Sequence, residues 1–436
     1  MYVCGPTVYD LAHIGNGRTF VSFDLVYRLL AHEYGRDNVV FVRNITDVED
    51  KINQAAADRG ISIRELTTET EAAFLEDMGV LGVSQPTYAP RVTDSIPAII
   101  AMIEALIARG HAYEAEAHVL FQVDSFAEYG ALSGRSVEDM IAGARIDVAP
   151  FKRSPADFVL WKPSSPELPG WDSPWGRGRP GWHIECSAMI EAVLGPAFGD
   201  TIDIHAGGND LIFPHHENEL AQSACAHGGA ALAKFWLHSG MLTVEGAKMS
   251  KSLGNFLTVQ DVLSWGIPGE AIRYYMLKTH YHSPMDWTKA GLGLAWKELD
   301  RFYNLLRQVG PAAHEHAEPP ESFLAALADD LNTPGALAVL HDVAGQANSA
   351  EGAEKDRLAA QIRAAGAVLG ILQSNVAAWF TGSVTDSDAI EERINARNQA
   401  RKDRDFATAD RIRDELLAEG IVLEDGPTGT IWRRAS

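Results

Sequence analysis

The stretch Lys248-Met249-Ser250-Lys251-Ser252, continued by Leu253-Gly254-Asn255, sets two ammonium groups and two hydroxyls on a loop of small residues. Such a loop can move over a triphosphate and neutralise charge as it develops. A solvated basic loop is the plain alternative, but this density of Lys, Ser and Gly is more particular than a generic charge run. A second stretch, His13-Ile14-Gly15-Asn16, joins two side chains that can donate hydrogen bonds to phosphate oxygens. Its glycine lets a nucleotide approach the backbone. Four residues alone do not separate that role from a surface loop with a chance histidine. A third set is dispersed: His215 and Glu219 are four apart, on one face of a helix, with Cys186 upstream and Cys4 near the start. Two thiolates, one imidazole and one carboxylate would satisfy a tetrahedral Zn²⁺. No CxxC spacing supports it. Singly, the cysteines read better as small buried hydrophobes, His215 as a helix cap and Glu219 as a solvated charge. Trp182, four before Cys186, reads as a core tryptophan or as the floor of a pocket. His183 and His205 are open in the same way, and Cys225 is assigned to packing.

These residues need elements to hold them. Met1 to Cys4 reads as a short strand broken by Gly5-Pro6. Phe20, Phe23, Val26 and Leu30 mark a helix that stops near Gly35, and Val39 to Val42 is a buried-type strand. A strand running into glycine and then a helix start is the usual geometry for a phosphate at a helix N-terminus. Ile96 to Ile107 form a helix ending at Gly110, and residues 119–123 a strand. The Pro-, Gly- and Trp-rich stretch from Pro163 to Gly181 reads as a loop. A helix over Trp182 to Leu194 and a strand over Thr201 to His205 follow. Leu292, Trp296, Leu299, Phe302, Leu306 and Val309 line one face of a long helix. Thr333-Pro334 starts another, with Thr333 as N-cap. Residues 290–375 are thus helical and Gly382 to Thr385 a linker. Helices over 387–401 and 406–418 come next, then a hairpin whose strands flank Gly426 to Gly429.

The chain has 436 residues, 46% of them hydrophobic, enough for about three globular domains. A net charge of −22 argues against a histone-like or polybasic membrane binder, though a local basic strip can sit on an acidic body. Three widely separated cysteines make a poor disulfide framework and suit a reducing cytosol. No charged segment followed by an apolar run opens the chain, and no run of about 18 apolar residues spans a membrane. The expectation is a soluble, cytoplasmic, multidomain protein.

Together the motifs resemble the cysteinyl-tRNA synthetases, which are class I aminoacyl-tRNA synthetases. The matching blocks run from Met1-Tyr2-Val3-Cys4-Gly5-Pro6-Thr7-Val8-Tyr9-Asp10 and the His13–Asn16 signature through Arg43-Asn44-Ile45-Thr46-Asp47. They continue with Gly181-Trp182-His183-Ile184-Glu185-Cys186-Ser187, Phe213-Pro214-His215-His216-Glu217-Asn218-Glu219 and the Lys248–Ser252 loop. The last are Asp330-Leu331-Asn332-Thr333-Pro334, Ala409-Asp410-Arg411-Ile412-Arg413-Asp414 and Gly429-Thr430-Ile431-Trp432. The resemblance implies an α/β fold: a Rossmann-type parallel sheet with an inserted α+β connective subdomain, then a helical bundle and a small anticodon-binding domain. Its bounds are expected at 1–91 and 176–228 for the two halves of the catalytic domain and 92–175 for the insertion. Residues 229–289 would hold the mobile lysine loop, 290–380 the bundle and 385–436 the anticodon domain.

The resemblance further implies one zinc held by Cys4, Cys186, His215 and Glu219, and Mg²⁺ accompanying ATP. His13, Asn16, Lys248 and Lys251 would act on the phosphates. Gly208 and Asp210 would hold the adenosine, and Thr7, Thr46 and Trp182 would line the amino-acid pocket. The implied partners are L-cysteine, ATP and tRNA(Cys), with no membrane and a monomeric enzyme. Arg393, Arg397, Arg401 and Lys402 would meet phosphate and bases, and no editing domain is expected. Two departures stand out. Asn16 occupies a position where the family often has a second histidine, and relatives usually carry a short segment before the cysteine-bearing strand, so the start is expected to be misassigned or shortened. The rival readings are a cysteine ligase of the mycothiol pathway and a non-catalytic synthetase paralogue.

Overall fold

The computed structural model describes residues 1–136, 149–309, 317–381, 387–426 and 429–434. Strand β1 (Tyr2–Val3) runs through Gly5-Pro6 into helix α1 (Ile14–Tyr34) and strand β2 (Val42–Arg43). Helices α2 (Asp50–Arg59), α3 (Ile63–Val80) and α4 (Ile96–Ala108) follow. Next comes an antiparallel sheet of β3 (Ala112–Ala115), β4 (His118–Phe121), β5 (Phe158–Pro163) and β6 (Gly178–Pro180), in that spatial order. The chain then returns through α5 (Trp182–Phe198), β7 (Ile202–Gly208), α6 (Glu217–Ala226) and β8 (Ala233–Ser239). The order β2-β1-β7-β8, all parallel, makes a doubly wound sheet whose middle strands end at the functional residues.

The register explains where the sequence reading was too long or too short. Only Tyr2 and Val3 pair with Val42 and Arg43, so β2 is two residues rather than Val39 to Val42. The carbonyl of Val40 instead accepts the terminal amine of Met1 at 2.7 Å. In the stretch expected to be loop, Gly178 to Pro180 pair with β5 as an edge strand, where proline costs no ladder bond. A Cβ at Gly178 would fall 2.4 Å from Trp161 Nε1, so only glycine fits there.

After β8 come β9 (Leu242–Val244), β10 (Ala247–Lys248), α7 (Val259–Ser264), α8 (Gly269–Leu277) and β11 (Met285–Trp287). Arg18 of α1, fully buried, donates to the carbonyls of Gly240, Met241, His280 and Ser283, fixing the turn after β8 against the helix that carries His13. Asp24 and Arg273 form a fully buried ion pair at 2.6 Å. Between the sheet and its helices lies a core of Tyr2, Val42, Ile99, Ile103, Leu160, Ile184 and Met189.

Helices α9 (Lys289–Arg307), α10 (Glu321–Ala328), α11 (Thr333–Ser349), α12 (Gly352–Leu369) and α13 (Val376–Thr381) make the expected helical region. The cap of α11 is Asn332, whose Oδ1 accepts from the Gly335 amide at 2.9 Å; the Thr333 hydroxyl is buried and does not take the expected capping role. Contacts divide the chain into two units: Met1–Trp296 with Ser322–Leu337 and Val368–Gly370, and the remainder. The second unit ends in α14 (Ser387–Lys402), α15 (Phe406–Ala418) and the hairpin β12 (Ile421–Gly426) and β13 (Gly429–Arg434), packed on Ile390, Ile394, Ile412, Leu416 and Trp432. The proposed linker at 382–385 lies outside the described residues.

Candidate active site

At the carboxyl ends of β1 and β7 lies a cavity of about 310 Å³. Its nucleotide side is built by the start of α1. His13 is the N-cap: Nδ1 accepts from the Asn16 amide at 3.1 Å, while Asn16 Oδ1 accepts from the His13 amide at 3.2 Å. With Nδ1 an acceptor, the neutral ring carries its proton on Nε2. Burial also pushes the His13 imidazole below its ordinary value, so it stays neutral at pH 7. The segment after the lysine loop is stitched to the same turn by Ile14 N to Leu257 O at 3.0 Å and Val259 N to Ala12 O at 2.9 Å. The Phe256 ring stands edge-on to His13.

Lys251 is thereby held over the cavity, where its Nζ meets Asp10 Oδ2 at 2.5 Å. His13, Asn16, Gly208, Asp210, Thr7, Trp182 and Cys4 line the same space, together with Asp10 and Lys51. Lys248 and Thr46 stand outside the lining. Lys248 lies in β10, paired with Thr243, and Thr46 is buried, its backbone bridged to Thr7.

Beneath the amino-acid side, Cys4, Cys186, His215 and Glu219 each present one ligand atom, all within 4.8 Å of one another and all buried. Cys4 follows β1, and Cys186 faces it from α5 at 3.9 Å between sulfurs. An irregular turn over Ile212–His216, with Phe213 extended (φ −137°, ψ 132°), delivers His215, and the first turn of α6 delivers Glu219. His215 Nε2 lies 2.9 Å from Glu219 Oε1. Hydrogen bonding from Cys4 brings the Cys186 thiol down to about 6, while burial and the neighbouring Cys186 push Cys4 well up. Burial opposes charge on His215, but Glu219 and Cys186 outweigh it and raise the imidazole to about 10. Two thiols, an imidazole and a carboxylate so enclosed form a donor set suited to a soft divalent ion. Glu219 Oε2 is buried and faces His205 Nε2 at 3.1 Å without good hydrogen-bond geometry, which leaves it able to serve a metal.

A second set shares two of these donors: Cys4, His205, His216 and Glu219 also lie within 4.8 Å. His205 Nε2 is 3.1 Å from Glu219 Oε2, and His216 Nδ1 is 2.8 Å from His238 Nε2. His183 Nδ1 sits 3.0 Å from His215 Nδ1, and Trp182 stacks on His215 at 4.2 Å. The sequence leaves His183 and His205 undecided, assigns no role to His216, which appears there only within a matching block, and gives no sign of His238. Only the adjacency of two histidines at 215–216 hinted at the cluster.

The model of the tRNA synthetases class I (C) catalytic domain matches residues 1–297, the DALR domain 322–373, and the cysteinyl-tRNA ligase anticodon binding domain 387–433. Cysteine–tRNA ligase of Acidiphilium cryptum is 59% identical over all of this chain and 94% of its own length. That of Rhodospirillum rubrum is 58% identical over all of this chain and 95% of its own. The chain belongs to the cysteinyl-tRNA synthetase family. Its fold is that of class I. The methionyl-tRNA synthetase of Mycobacterium tuberculosis with methionyl-adenylate superposes with a TM-score of 0.58 at 17% identity, covering 84% of this chain and 89% of that one.

In this cysteinyl-tRNA synthetase the arginines of α14 are not uniformly presented for RNA. Arg397 is buried and gives Nη1 and Nη2 to Asp425 at 2.9 and 3.0 Å. Arg401 meets the same carboxylate at 2.8 Å and Arg393 meets Glu419 at 2.6 Å. Arg397 therefore clamps the hairpin to the helix, a role the sequence pattern could not distinguish from phosphate contact.

Proposed function

We propose that the protein activates L-cysteine with ATP and transfers it to tRNA(Cys), selecting the amino acid through a zinc ion held by Cys4, Cys186, His215 and Glu219. The observation that carries this reading is the convergence of those four buried donors, from three distant parts of the chain, beside a cavity that also takes His13, Asn16 and Lys251.

In the first step the cysteine carboxylate, already ionised at pH 7, attacks the α-phosphorus of ATP in line, so no general base is required. The rate then rests on positioning and on charge stabilisation at the phosphates. His13 donates from Nε2, Asn16 from its amide, and Lys251 leaves Asp10 for the phosphates; Mg²⁺ arrives with ATP. Lys248 would join only by movement of its loop. Gly208 lets the adenosine approach the end of β7, with Asp210 beside it. Trp182 and Thr7 close on the cysteine side chain, and Thr46 fixes Thr7 through the backbone. In the second step a terminal ribose hydroxyl of the tRNA attacks the acyl carbonyl and AMP leaves.

Serine differs from cysteine by one atom, and pocket shape alone separates such near-isosteres by only roughly 10–200-fold. Zinc, when bound, supplies a soft acid that prefers a thiolate to a hydroxyl. An amino-sugar ligase is the poorer reading because an anticodon-binding domain model matches 387–433. The proposed division of labour gives 1–91 and 176–228 to activation, 92–175 to the insertion, 229–289 to the lysine loop, 290–380 to the bundle and 385–436 to the anticodon. A monomeric, cytoplasmic enzyme is part of the proposal, supported by the family likeness. Among the described residues no helix is long and apolar enough to cross a membrane.

ATP–pyrophosphate exchange with and without cysteine, followed by charging of total tRNA with labelled cysteine, tests the reading. Exchange that depends on cysteine, with one charged tRNA isoacceptor family, supports it. Cysteine-independent exchange, or cysteine transfer to a small amine but not to tRNA, rejects it.

A further inference from the structure

Two residues between the proposed ligands His215 and Glu219 face away from the cavity. Glu217 is wholly buried, and its carboxylate is held by backbone amides. Oε1 accepts from the Gly130 amide at 2.9 Å and Oε2 from the Ser133 amide at 2.7 Å. Asn218, also buried, accepts from the Tyr129 hydroxyl. The Arg135 guanidinium lies 5.2 Å from the centre of the Phe213 ring. The segment 129–135, which belongs to the inserted region, thus grips the turn 213–218 at four points. A buried carboxylate committed to two amides is a strong, directional tie, because charge-assisted bonds are stronger than neutral ones and leaving either end unpaired is costly. The same inserted region touches the cluster again through Phe158, edge-on to His183, which contacts His215.

We infer that Glu217 is a positioning residue for the metal centre: through Gly130 and Ser133 it makes the insertion the outer support that fixes where His215 and Glu219 point. This rests on the zinc reading above. Backbone irregularity of the turn, with Phe213 extended beside a helical His216, leaves the direction of His215 undetermined by helix geometry, so an external tie has something to fix. Partners of ligands typically alter metal affinity by about 10–100-fold when removed.

The test is Glu217→Gln, which keeps the volume and removes the charge, beside Tyr129→Phe, which removes one hydroxyl and no core volume. Zinc is measured in the purified proteins and its affinity by competition with a chromophoric chelator; Co²⁺ substitution reports ligand geometry from its visible spectrum. KM values for cysteine and ATP are measured by pyrophosphate exchange. Glu217→Gln should bind zinc about 10–100-fold more weakly, change the Co²⁺ spectrum, and raise the cysteine KM at least tenfold with the ATP KM within twofold. Tyr129→Phe, which loosens the same segment from Asn218, should move the same quantities in the same direction by a smaller factor, and it tests the insertion's support of the turn if Glu217→Gln does not fold. Unchanged zinc affinity and Co²⁺ spectrum, or equal rises in both KM values, overturn the inference. Absence of zinc from the unaltered protein would instead overturn the metal reading itself, and a selective cysteine KM effect in Glu217→Gln would then still locate a support for the cysteine pocket.

Discussion

His13 and Asn16 hydrogen-bond each other twice across the first turn of α1, ring nitrogen to amide at 3.1 Å and side-chain oxygen to amide at 3.2 Å. The asparagine that departs from the common second histidine is therefore half of a capping box. Asn16→Ala should cost about 1 kcal/mol of stability, as cap losses do, and should slow adenylation as well. Asn16→His should recover the rate while losing the carbonyl acceptor. Urea melts and single-turnover adenylation measure both, and a full rate in Asn16→Ala would remove Asn16 from phosphate binding.

The cap also gives a pH dependence. Burial lowers the His13 imidazole below its ordinary value of 6.5, so between the two values the unfolded chain binds a proton that the folded one does not. The stability owed to neutral His13 is present above pH 6.5 and is lost as pH falls through that value toward the lower folded one. Between pH 8 and 5 the parent should lose stability relative to His13→Asn, which has no titrating cap. A parent that gains stability relative to the variant toward acid would contradict the assignment of Nδ1 as acceptor.

Lys251 pairs with Asp10 in the free protein at 2.5 Å, in contact with solvent, and that pair is worth little by itself. Its use is placement of an ammonium that phosphate can capture. Lys251→Ala should lower the adenylation rate by roughly 10²–10³-fold, the scale for losing one charge-stabilising donor. The cysteine KM should remain within about twofold. Equal rates in variant and parent, measured by rapid quench, would exclude the role.

Most of the supporting scaffold was legible because its signals are local. The capped helix after the first glycine, the two tail helices and the hairpin follow from periodicity and turn residues, and α14 and α15 end within a residue of their expected limits. Strand β6 was missed because an edge strand tolerates the Pro and Gly that elsewhere mean loop. The cap of α11 moved from Thr333 to Asn332, since both types cap and only the geometry decides between neighbours. Cys4 and Cys186 meet across 182 residues, a relation without any local spacing. Family resemblance, not periodicity, brought them together before the fold did. His216 and His238 are paired by the approach of α6 to β8, and nothing in the sequence near either residue announces it.

The Asp24–Arg273 pair supports the scaffold from within. Burial raises the Asp24 carboxyl, but Arg273 and Arg28 outweigh it and hold the group below its ordinary 3.8. Its stabilisation is therefore present above that pH and fades as pH falls through the lower folded value. Asp24→Asn should cost about 3–5 kcal/mol, since it removes the counter-charge of a buried guanidinium and leaves it only the carbonyls of Leu81, Gly82 and Leu369 as acceptors beside the new amide. Asp24→Leu with Arg273→Met should recover much of that loss in denaturant melts. A cost under about 1 kcal/mol for Asp24→Asn would show that the carbonyls of Leu81, Gly82 and Leu369 suffice to hold Arg273 and that the charge pair adds little.

Selection of sulfur by a bound ion is most directly examined with Cys186→Ser, which changes one donor atom in a buried position. Zinc content and cysteine-dependent pyrophosphate exchange are measured on the same preparations, with ATP binding as the control. One zinc per parent chain is expected, with metal and cysteine activation lost together in the variant while ATP still binds. A variant that keeps its full zinc and exchanges pyrophosphate at the parental rate would contradict the account.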